Sequence, residues 1–137
     1  MDWLTHPAVL LAVGGGAGAN ARFYLGRWVA EWQLRHGGVG FPWGTFVINV
    51  TGSALLGFLA ATCLGHADPG RRVWYVLLGT GFCGGFTTFS TFSLEAMEMI
   101  REERLGAALV YVLGSVLAGL GAAALAMWVG GRREWAG

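Results

Sequence analysis

The sequence predicts an all-α integral membrane protein of four transmembrane helices, and three observations carry that reading. Of its 137 residues 55% are hydrophobic and only 12% are charged, too little polar surface for a soluble domain of this size. Apolar stretches recur along the chain, separated by short polar connections. A bilayer crossing takes about 20 apolar residues, so four crossings occupy the chain as one transmembrane domain, 1–137, and leave no room for a soluble one.

The first span is expected from about Pro7, well placed at a helix start, to about Trp32, with Asn20 and Arg22 inside it. The segment MDWLTHPAVLLAVGGGAGANAR has no basic leading region and no cleavage site, so it reads as this span and not as a removed signal peptide. After HGGVGFP the second span runs from about Trp43 to Leu64, closed by the turn cluster GHADPG. Span three covers about Arg72 to Ile100, and span four about Leu105 to Val129 after the charged connection REER. Trp3, Trp28, Trp32, Trp43, Trp74, Trp128 and Trp135 fall near these span ends, as interfacial aromatic belts do.

Charge then speaks to orientation. With four spans, Arg71, Arg72, Arg132 and Arg133 share one face of the membrane, and Arg27, Arg35, Arg101 and Arg104 share the other. A balanced count gives no orientation signal, so the chain can insert both ways and pair as an antiparallel two-fold dimer. If Arg27 belongs to the helix, the bias is four to three and one topology is fixed; both readings stand. Small residues four apart, Gly14 and Gly18, Gly81 and Gly85, Ser115 and Gly119, allow close helix approach, within one chain or between two.

The stretch GTGFCGGFTTFSTFSLE, Gly79 to Glu95, is the anomaly. Its glycines followed by Thr87 and Thr88 predict a break at the centre of span three. Backbone freed in a membrane must be buried in protein or line a cavity, and such breaks hold ions. Carbonyls from Gly84 to Thr87 suit a small cation, and amides opening the next half-helix suit an anion; the alternative is a glycine-rich packing face with its helical bonding intact. Beyond the break, Thr87, Ser90 or Thr91, and Glu95 recur at helical spacing, as do Phe82, Phe86, Phe89 and Phe92. Phenyl edges are positive and favour an anion in a narrow path, although a phenylalanine stripe also serves plain packing.

Other polar groups within spans are Asn49 and Arg22, costly unless they face the bundle interior or water. Arg22 either snorkels to the interface or draws anions into a vestibule, and Asn49 is either interhelical glue or an ion ligand. Tyr111 and Ser115 lie one turn apart in span four and offer hydroxyls to one path. Glu31, Glu95, Glu98, Glu102 and Glu103 are expected near span ends and connections, leaving no mid-span carboxylate for a proton-coupled carrier. His6, His36 and His66 lie outside or at the ends of spans; Cys63 and Cys83 have no metal-ligand spacing; no nucleophile and base pair stands out, so no enzyme is expected. All nine basic residues are arginines scattered in ones and twos, so no nucleic acid partner is expected.

These residues resemble the small Fluc (CrcB) fluoride channels. The resemblance runs through GGGAGANARFYLG, FPWGTFVINVTGSALLG, GTGFCGGFTTFSTFSLE and, more weakly, YVLGS. It implies an antiparallel, dual-topology homodimer in the bacterial inner membrane that exports fluoride passively, with lipid around it. It implies a structural sodium ion at the dimer centre, on backbone carbonyls of Gly84 and Thr87. Phe89, Phe92, Asn49, Arg22, Tyr111, Ser115, Thr91 and Glu95 match the fluoride pathway. One departure is visible: where many relatives carry a second serine one turn beyond Ser115, this chain has Gly119, so water or another hydroxyl has to substitute.

Overall fold

A computed structural model describes residues 3–37, 40–64 and 68–131. His66, Arg132, Arg133 and Trp135, on which parts of the charge and aromatic-belt reading rest, lie outside the described residues. A short 3-10 turn, Trp3–Thr5, leads into α1, Pro7–His36. Pro7 takes the first helical position, where its missing amide costs nothing, and the His6 ring accepts from the Ala8 amide at 3.3 Å. Gly37, at φ 72°, closes the helix in the left-handed conformation that a side chain would resist.

Helix α2, Trp43–Cys63, is followed by α3, Pro69–Trp74, whose first turn is capped by Asp68 through the Gly70 amide at 2.9 Å. The chain continues as a π-helical stretch, π1, Tyr75–Cys83, then one α-turn, α4, Gly84–Phe86. Thr87 and Thr88 are extended, with ψ 158° and 113°, before α5, Phe89–Arg101, begins. The last described helix is α6, Leu105–Gly131. Among the described residues, α2 and α6 are each long and apolar enough by themselves to cross a bilayer.

The glycines of the third pass remain helical, and the departure from helix is confined to the two threonines after them. Their role is close packing. A Cβ at Gly14 would overlap the Leu77 carbonyl, one at Gly18 the Phe82 carbonyl, and one at Gly85 the Gly15 carbonyl. Gly14 and Gly18 thus meet Gly81 and its neighbours inside one chain, so α1 lies backbone to backbone on π1 and α4.

α2 packs chiefly on α6, and contacts rise together along both helices: Ser53 faces Gly119, Gly57 touches Ala123, and Phe58 and Ala61 touch Gly130. The two helices therefore run parallel. Tyr111 anchors the buried cluster at the α5–α6 end, with Ala96, Met99 and Ala108. Trp3, Trp28, Trp32, Trp43, Trp74 and Trp128 are exposed near helix ends, as a membrane protein places them.

Candidate functional site

Leaving the helix at Thr87 and Thr88 frees backbone groups, and two distant side chains collect them. The Thr88 amide, which in an unbroken helix would donate to the Gly84 carbonyl, instead donates to Asn49 Oδ1 at 2.8 Å. Asn49 Nδ2 returns a bond to the Thr88 carbonyl at 3.1 Å, and Arg22 donates to the Thr87 carbonyl at 3.1 Å. Arg22 therefore does not snorkel outward; its guanidinium turns onto the interruption. Thr88 is buried and caps α5, its hydroxyl accepting from the Thr91 amide at 3.2 Å. Both bonds identified for Asn49 are to the backbone of Thr88, which makes it the brace of this site, with one amide hydrogen to spare.

Glu95 corrects the sequence reading. It was expected near the end of a span, but it sits between helices: Thr45 of α2 donates to its Oε1 at 2.8 Å and Tyr111 of α6 donates to its Oε2 at 2.7 Å. The helical spacing of α5 sets Glu95 on the face that also carries Phe92 and Thr91, three and four residues before it. An interior carboxylate exists after all, so its absence no longer argues against a proton-coupled carrier. The Tyr111 hydroxyl is committed to Glu95, while the Ser115 hydroxyl is buried with no hydrogen-bond partner.

Phe92 lies 5.1 Å from the Tyr111 ring and 5.9 Å from Phe89, centroid to centroid. Phe89 is 79% exposed on this chain. Phe82 and Phe86 stack on each other at 5.5 Å, and Phe86 is buried. The four phenylalanines thus divide into a stacked pair before the interruption and, after it, Phe92 packed on the Tyr111 cluster with Phe89 exposed beside a cavity that Asn49 also lines. Asn20 does not reach into the bundle; it is exposed and bonds its own helix at Gly16.

Two cavities flank the interruption. One of ≈330 Å³ is lined by Arg22, Thr45, Thr88, Thr91 and Glu95 among others; the second, of ≈210 Å³, by Asn49, Ser53, Thr87 and Phe89. The structure thus gathers Arg22, Thr91 and Glu95 on one side and Asn49, Thr87 and Phe89 on the other. Thr45 and Thr88 escaped the sequence reading as site residues. Thr88 had a signal, a threonine directly before a helical run; Thr45 had none, being one hydroxyl in an apolar stretch.

The donor set suits the implied sodium. Gly84 loses its usual helical donor to Asn49 and is exposed, and the Thr87 carbonyl keeps one lone pair beside its bond to Arg22. Oxygen atoms are what a hard cation takes, although the Arg22 charge opposes one there.

Residues 9–130 match the family model described as CrcB-like protein, Camphor Resistance (CrcB). This chain belongs to the CrcB family. CrcB relatives include the fluoride-specific ion channel FluC 1 of Leifsonia xyli subsp. xyli, 47% identical over 128 residues, covering 91% of this chain and 88% of the relative. FluC 1 of Symbiobacterium thermophilum is 43% identical over 135 residues, 98% of each chain. FluC of Phenylobacterium zucineum is 44% identical over 108 residues, 79% of this chain and 82% of the relative. CrcB proteins are thus a family of ion channels and not of enzymes.

Proposed function

We propose that this protein is a fluoride channel of the bacterial inner membrane, crossing it four times and working as an antiparallel homodimer with two fluoride pathways. The observation that carries this is the identity of 47% over 91% of the chain with a relative named a fluoride-specific channel. The site supports it physically. Fluoride is small and strongly hydrated, so a path that strips its water must offer closely spaced donors. Arg22 supplies a fixed positive charge that draws anions toward the interruption. The spare amide hydrogen of Asn49, the Thr91 and Ser115 hydroxyls and the edges of Phe89 and Phe92 then replace water. Tyr111 and Thr45 hold Glu95 in place along the same column.

Phe89, exposed on the single chain, fits a path completed by a second copy. The balanced arginines accord with insertion in both orientations. Sodium, held by the Gly84 and Thr87 carbonyls of each copy, serves assembly and not transport. Flow is passive: HF crosses a membrane unaided and ionises inside, and a conducting path lets fluoride leave down its gradient.

The test is ion efflux from liposomes holding the purified protein, fluoride and chloride compared in one preparation. Rapid fluoride release with negligible chloride release is expected; none from a folded, dimeric protein sinks the reading. Proton movement locked to each fluoride would instead point to a carrier using Glu95. Phe89→Ile and Phe92→Ile should each cut fluoride flux without changing the oligomer, and wild-type flux in both removes the rings from the path.

A further inference from the structure

The parallel register of α2 and α6 stacks polar groups in levels. At the first level Thr45 and Tyr111 both meet Glu95. One turn on, the same register sets Asn49 level with Ser115, whose buried hydroxyl has no partner. One turn further Ser53 faces Gly119, and there only α2 carries a polar side chain. A Cβ at Gly119 would sit 3.5 Å from Ser53 Oγ, an ordinary contact, so crowding does not demand glycine at this place. With glycine there, α6 brings backbone but no side chain to the Ser53 hydroxyl. Ser53 also lines the ≈210 Å³ cavity shared with Asn49, Thr87, Thr88 and Phe89.

We infer that Ser53 is a further residue of the ion pathway, supplying from α2 the hydroxyl that α6 lacks at Gly119. The inference rests on the fluoride reading above. In the resting state Ser53 Oγ donates to the Asn49 carbonyl at 2.7 Å, a bond to the preceding turn of its own helix. Rotation about the Cβ–Oγ bond turns that hydrogen to an anion arriving past Ser115. The Asn49 carbonyl keeps its helical amide donor meanwhile, so no backbone group is stranded.

The test compares fluoride efflux from liposomes for wild type, Ser53→Ala and the double variant Ser53→Ala with Gly119→Ser. Losing one hydroxyl donor to a charged ion should slow Ser53→Ala about tenfold, with its elution as a folded assembly unchanged. Placing a hydroxyl on α6 should restore most of that loss, because a serine there cannot make the Ser53 bond to Asn49 and so repairs only the path. Wild-type flux in Ser53→Ala overturns the inference, and so does a loss that Gly119→Ser leaves unrepaired, which marks a packing role. A wild type that releases no fluoride fails the fluoride reading itself, whereas an active wild type with an indifferent Ser53→Ala fails this inference alone.

Discussion

The seam between α1 and π1 and the seam between α2 and α6 are built on opposite rules. On the first, Gly14, Gly18, Gly81 and Gly85 remove side chains so that backbone lies on backbone. On the second, Thr45 and Tyr111 meet on Glu95 at one end and Ser53 faces Gly119 further along, while toward the other end Gly57 and Gly130 bring the two helices into direct contact. The difference teaches where an ion can pass. A seam closed by glycine has no room for one and serves as a fixed wall; the two cavities lie instead where α2 faces the interruption, with Thr45 and Glu95 on one and Asn49 and Ser53 on the other.

The strongest way to break the comparison is Gly18→Ala, because the new methyl meets the Phe82 carbonyl, a backbone atom that cannot turn aside. A loss of about 3 kcal/mol or more is expected, at the upper end for overpacking, seen as a fall in thermal stability in detergent and loss of the monodisperse peak. Tolerance of Gly18→Ala would show that the seam can part. Next comes Asn49→Ala, which strands the buried Thr88 amide and its carbonyl. Each stranded group costs about 1–3 kcal/mol, and fluoride flux should fall with stability; full flux would separate the brace from conduction. The smallest effect is at the cap: Thr88→Ala should cost about 1 kcal/mol by thermal unfolding, with Thr88→Ser near wild type. An equal loss in both would point to the methyl and not the hydroxyl.

Much of the helical plan is legible, because long apolar runs, Pro7 and the tryptophans among the described residues each act locally. The site is legible only in part. Arg22, Asn49 and Thr87 stand out as polar residues in apolar surroundings, but their partners do not, because Arg22 with Thr87 and Asn49 with Thr88 are far apart in sequence and meet only through packing. Glu95 reads in sequence with the glutamates near span ends and connections, and only the resemblance puts it on the pathway; the docking of α2 and α6 is what gives it its two partners. The glycines misled. Intrinsic propensity argued for a break among them, yet tight packing on α1 keeps them helical, and the chain departs from helix at the threonines Asn49 and Arg22 hold.

The parallel pairing of α2 with α6 also sets a clock. Thr45, Asn49 and Ser53 leave the ribosome roughly sixty-odd residues before the α6 positions that face them, an interval on the order of several seconds at about 5–20 residues per second. Asn49 and Thr45 meet Thr88 and Glu95 first, 39 and 50 residues later, while Ser53 still waits for Gly119. The polar column is therefore completed only late in synthesis, when α6 brings Tyr111 to Glu95.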